Sequence, residues 1–142
     1  MVTTHLPDYV FIGAELGPSS VQITDEMIDR YRQAIDATDD DVPRTAFCPP
    51  TLLESYMSRL AGERFKMQGF GRFHKKTSLQ YFRPIPIGTT VTLTGELIDV
   101  YSKGTVDYLV SRLQAVDQDG NRLLEMEVHH LVNYQGGLFE IQ

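Results

Sequence analysis

Apolar and polar positions along the chain change period near residue 70. Between residues 89 and 101 Val91, Leu93 and Leu97 alternate with Thr90, Thr92, Thr94 and Glu96. That period of two predicts a strand with one buried face. Residues 72–83 predict another strand, stopped by Pro84, and strands over 105–117 and 122–134 follow. The stretch "DQDGN", with its Asp119-Gly120 pair, joins the last two as a hairpin, and "YSKGT" makes a similar turn before them. The last three strands, about 12 residues each, predict an antiparallel meander.

Earlier in the chain the spacing is helical. Met27, Ile28, Tyr31, Ala34 and Ile35 predict an amphipathic helix over 25–36, with Thr24 as N-cap and Asp25 and Glu26 in the first turn. A second helix is predicted from Pro50 to Ala61. Leu52, Tyr56 and Leu60 form one apolar row, Leu53 and Met57 lie beside it, and Gly62 stands at the expected C-cap. Pro49 and Pro50 stiffen its entrance and remove two backbone donors. Residues 9–23 predict a short strand and a loop. Strands grouped after helices indicate an α+β fold, with a sheet wrapped around one helix. The turns between strands are too short for the crossovers of a parallel sheet.

With 142 residues, a single domain spanning 1–142 is expected. The net charge of −6 and the lack of a basic stripe argue against a nucleic-acid binder. No apolar run approaches the roughly 18 residues that span a membrane. The N-terminal stretch has no basic segment followed by an apolar one, as a secretory signal would. Cys48 is the one cysteine, so an internal disulfide and a cysteine zinc site are excluded, and a reducing cytoplasm is expected. His129 and His130 are adjacent on a strand and point to opposite faces, so they cannot ligate one metal together. No metal or cofactor is expected.

The segments "GAELGPSSVQITDEMIDRYRQAID", "CPPTLL" and "HKKTSLQYFRPIPIGTTVTLTGELIDVYSKG" together resemble the MaoC-like dehydratases, and "CPPTLL" is similar to the dehydratase-like N-terminal MaoC subgroup. The resemblance implies a hot-dog fold. It implies hydration or dehydration of acyl thioesters of coenzyme A or acyl carrier protein, and a homodimer or a heterodimer with a second hot-dog chain. It also implies an Asp-x-Asn-Pro-x-His loop after the first helix and a carbonyl-polarising N–H at the head of the central helix. Here that loop reads "DATDDDVPRTAF": it has Asp36, Asp39, Asp40 and Asp41 but neither Asn-Pro nor histidine.

A hydratase or dehydratase with a non-standard site would therefore use Asp36 or Asp40 as the carboxylate and His74 as the imidazole. Cys48 and Thr51 at the helix head are the expected substrate contacts. Tyr56 either lines an acyl tunnel or packs in the core. Arg72 and Arg83, with Lys75 and Lys76, would attract phosphates, or else form a solvated strand face. Glu54, one turn into the central helix, is the candidate for a thioesterase or cyclase, or simply a carboxylate that suits the helix dipole. The other reading is a non-catalytic acyl-binding subunit beside a chain that carries the full dyad.

Overall fold

The computed structural model describes residues 6–67, 72–104 and 106–132. The elements are β1 (Glu15–Gln22), α1 (Asp25–Ala34), α2 (Leu52–Arg64), β2 (Arg72–Tyr81), β3 (Thr90–Lys103), β4 (Val106–Val116) and β5 (Arg122–Val132). They form one five-stranded sheet in the order β1-β3-β4-β5-β2, every pairing antiparallel. The predicted meander is β3-β4-β5. Positions 133 and 134 of the predicted last strand lie outside the described residues.

Thr24 caps α1, its hydroxyl accepting from Met27 N at 3.2 Å. Only Ile28 of this helix is buried. Ile35, expected on the apolar stripe, is the C-cap and 49% exposed, because the helical geometry that would turn it inward ends at Ala34.

The central helix differs from its expected bounds at both ends. Pro49 and Pro50 precede it: Leu52 N donates to Pro49 O at 3.1 Å, closing a turn that feeds the helix. At the other end Gly62 is buried inside α2 instead of capping it, and Lys66 takes the left-handed conformation at φ 54. Ala61 and Phe65 are both fully buried, and keeping Phe65 in the core carries the helix two residues past the glycine, to Arg64. The most deeply buried row is Leu53, Met57, Ala61 and Phe65, each 0% exposed, while Tyr56 and Leu60 are half-buried beside it. This row packs on β1, β4 and β5, so the sheet wraps α2 as its central helix. The arrangement is a hot-dog fold.

Two bulges set which side chains face that helix. Leu97 pairs with Ser111 and Asp99 with Val110, so Ile98 is an extra residue and the buried face passes from Leu97 to Val100. In β2, His74 pairs with His130 and Lys76 with His129, leaving Lys75 as the extra residue. Cross-strand partners share a face. His74 therefore lies on the inner face with the fully buried His130, and Lys76 lies on the outer one.

Candidate functional site

The segment entering α2 is fixed before the helix starts. Phe47 bridges to Pro86, Cys48 N donates to Ile85 O at 2.7 Å, and Ile87 N donates to Ala46 O at 3.0 Å. Pro49 and Pro50 then bring no N–H groups to the helix head. The hydroxyl of Thr51 makes no cap bond and instead hydrogen-bonds the Tyr31 phenol from α1. Beside this head lies a cleft of about 780 Å³. Apolar groups dominate its wall, among them Ile28, Phe47, Cys48, Pro50 and Ile85, and Arg32, Arg44 and Arg83 also line it.

Two of these arginines are held by partners. Arg32 donates to Val42 O at 2.6 Å and pairs with Asp39 at 3.1 Å. Arg44 bonds Asp25 at 2.9 Å and also Asp29, and these two carboxylates hold its guanidinium above its ordinary value. Arg83 acts electrostatically on Asp117, whose carboxyl is held low chiefly by the backbone N–H of Asn121. Cys48 is buried, and burial pushes its thiol up to about 11, so it stays protonated at neutral pH. Tyr81, at the end of β2, reaches into the cleft; burial raises its phenol, assisted by the nearby Glu54, Tyr31 and Cys48. Tyr31, Cys48, Thr51, Glu54 and Tyr81 thus gather at one end of α2.

The expected site residues separate into three places. Cys48 and Arg83 line the cleft, and Thr51 and Glu54 adjoin it. Asp36 and Asp40 are exposed in the loop after α1, and neither lines the cleft. That loop is organised around its other aspartates: Asp39 pairs with Arg32, and Asp41 accepts from Thr38 N at 2.7 Å and from its hydroxyl at 2.8 Å. His74 is elsewhere again, with Nε2 2.6 Å from Ser58 Oγ in the middle of α2. Tyr56 is half-buried against the core, with the Arg59 guanidinium 5.5 Å above its ring. Lys75 precedes Arg83 by eight residues, about 25 Å along an extended chain, so the expected basic group does not converge. The Arg72 side chain lies outside what is described.

Tyr31, Ser58 and Tyr81 were not legible as site residues. Tyr31 sits in the apolar stripe of α1 and Tyr81 in a strand pattern, so both read as packing. Ser58 carries one available signal, its spacing of one turn from Glu54 on α2. On β2 the inward row is His74, Thr77, Leu79 and Tyr81, paired with His130, Val128, Met126 and Leu124. His74 stacks on His130, ring centroids 4.5 Å apart and tilted by 49°. Ser111, on the same inner face of β4, is fully buried, and its hydroxyl has no hydrogen-bond partner among the described residues. His129, on the outer face, bonds the Tyr101 hydroxyl at 3.1 Å.

Fold and site together define a hot-dog protein with a cleft at the head of its central helix. Residues 10–126 match the family described as FAS1-like, dehydratase domain region, and the chain belongs to this family. No curated protein sequence matches the chain. Solved structures share its fold at low identity. The (R)-hydratase from A. caviae involved in PHA biosynthesis is 15% identical at a TM-score of 0.70, covering 89% of this chain and 100% of that one. The HadBC (3R-hydroxyacyl-ACP dehydratase) complex from Mycobacterium tuberculosis is 14% identical at 0.69, covering 86% and 97%. The ChsH1-ChsH2 complex from the same organism is 16% identical at 0.67, covering 87% and 99%. Among the described residues no group of three or more His, Cys, Asp or Glu could hold a metal ion, and no helix is long and apolar enough to cross a membrane.

Proposed function

We propose that this chain binds an acyl thioester of coenzyme A or acyl carrier protein at the head of α2. In this reading it serves hydration or dehydration as one half of a hot-dog pair, beside a second chain that carries the full Asp-His dyad. One observation carries the reading: among the described residues the cleft lining includes three arginines and a broad apolar wall but no carboxylate and no imidazole. Arg32 and Arg44 are held by carboxylates, so Arg83 is the guanidinium that suits the phosphates of coenzyme A or phosphopantetheine, and the apolar wall suits an acyl group. Activating a water for addition to an enoyl group needs a positioned base. Asp36 and Asp40 lie in an exposed loop and His74 lies on Ser58, so neither supplies one in this cleft. The solved HadBC and ChsH1-ChsH2 structures, both described as complexes, fit a paired arrangement.

The test is enoyl-thioester hydration by the purified chain, alone and co-expressed with a MaoC-like chain that carries the intact dyad loop. Turnover in the mixture only is the expected result. Turnover by the chain alone, abolished by His74→Ala together with Asp36→Asn or Asp40→Asn, would replace this reading with a self-sufficient hydratase. Thioester hydrolysis lost in Glu54→Gln would point instead to a thioesterase built on the α2 carboxylate.

A further inference from the structure

We propose that the Thr51 hydroxyl, held by the Tyr31 phenol, donates the hydrogen bond that fixes the thioester carbonyl at the head of α2. The inference rests on the reading that an acyl thioester binds in this cleft. Thr51-Leu52-Leu53-Glu54 has the T-x-x-E spacing of a capping box, in which the Thr hydroxyl would accept from the N–H of Glu54. That box is not formed. Thr51 has φ −82 and ψ −7, helical values in place of the extended ones a capping residue takes, and its side chain makes no cap bond. Giving up a cap destabilises a helix start, so helix stability does not account for where this hydroxyl points.

It points to Tyr31 instead. Ile28 and Arg32, which flank Tyr31 on α1, line the cleft, and so do Cys48, Pro49 and Pro50 just before Thr51. The bond between the two hydroxyls therefore stands at the margin of the cleft, where α1 meets the head of α2. Pro49 and Pro50 have no N–H to offer there, and Leu52 N is already turned to Pro49 O at 3.1 Å. A carbonyl oxygen at this margin meets hydroxyl protons where a helix entrance without prolines would present amide ones. Two hydroxyls joined by one hydrogen bond use one proton and keep the other. A phenol is the stronger donor of the two, so Tyr31 gives its proton to Thr51 Oγ1 and the Thr51 proton is left to donate onward. A hydroxyl that accepts a hydrogen bond is polarised into a better donor, so Tyr31 strengthens Thr51. Thr51 is exposed while Tyr31 is half-buried against the core. Thr51 is thus the contact to the carbonyl, and Tyr31 is a positioning residue behind it.

Calorimetric titration of the full chain tests this by comparing an octanoyl thioester with the matching octyl thioether, which lacks only the carbonyl oxygen. Each is carried on coenzyme A and on an acyl carrier protein, and the ratio is read on whichever carrier binds. The thioester should bind about tenfold more tightly, the effect of one net hydrogen bond. Thr51→Val should bring that ratio to about one, Thr51→Ser should keep it, and Tyr31→Phe should lower it, with thermal melts confirming that the variants fold. A role confined to packing or helix entry would weaken both ligands alike and leave the ratio unmoved. Equal binding of the two ligands by the wild-type chain, or a ratio that persists in Thr51→Val, overturns this inference and leaves the proposed function standing. A ratio unmoved in Tyr31→Phe overturns the part given to Tyr31. Binding of neither ligand on either carrier overturns both the inference and the proposed function.

Discussion

At the residue scale, Cys48 shows how burial decides reactivity. It stands at the head of the central helix, where an exposed thiol would be a nucleophile in waiting. It is 6% exposed, and its Sγ–H donates to Pro49 O at 3.3 Å. Burial raises its thiol from 9.0 to about 11, so the folded state prefers the neutral form. The sign follows from linkage. This stabilisation is fully present below pH 9.0 and is lost as pH rises through about 11. Iodoacetamide at pH 8 should leave Cys48 unmodified in the folded chain and alkylate it readily in urea. Fast alkylation of the native protein would make the cysteine a reactive group after all. Ser111 presents the opposite case, a polar atom that stability does not require. Ser111→Ala removes a fully buried hydroxyl with no partner among the described residues, so urea denaturation should show stability unchanged or raised, by up to about 1–3 kcal/mol. A clear loss would mean that the hydroxyl is satisfied in solution.

At the element scale, packing tolerances are set by close backbone approach and by the buried row of α2. A Cβ added at Gly95 in β3 would lie 2.5 Å from Arg112 O and 2.9 Å from Leu113 Cγ. One of those contacts is backbone, so Gly95→Ala must push β3 and β4 apart and should cost about 1–3 kcal/mol in a urea melt. Leu53→Ala, at a fully buried position in the inner row of α2, should cost about 2–5 kcal/mol in the same measurement. Both are ordinary consequences of a period that the sequence displays openly. The alternation over β3 and the Asp119-Gly120 turn were enough to place β3, β4 and β5, because burial of one face imposes a period of two wherever the strand is regular. The bulges at Ile98 and Lys75 left no such mark: one extra residue shifts the phase without changing composition. The separation of His74 from Asp36 and Asp40 depends on tertiary packing that helix periodicity does not encode. Gly62 misled for a related reason, since a glycine in a well-packed helix looks the same in sequence as one that ends it.

At the scale of the whole molecule, the sheet has two unequal edges. The β1 edge is short and irregular, with Pro18 and a register shift between Leu16 and Ser19, features that discourage another strand from adding there. The β2 edge is ten residues long and has no neighbour among the described residues. Phe73 and Tyr81, at its two ends, are 52% and 42% exposed. Beyond the bulge at Lys75, the stretch from Thr77 to Tyr81 pairs regularly with β5 on one side and can take a partner strand on the other, and it belongs to the strand that holds the inward row from His74 to Tyr81. Docking a second hot-dog chain there would cover that row and enclose the space beside α2, so assembly and ligand binding would be coupled. Phe73→Lys places a charge on the edge without touching the inner face, because Phe73 pairs with Leu131 and not with an inward residue. Sedimentation should then show the pair dissociating to single chains, with acyl-thioester affinity falling in step. A variant that stays paired, or that dissociates with affinity intact, would place the interface elsewhere or make the site complete within one chain.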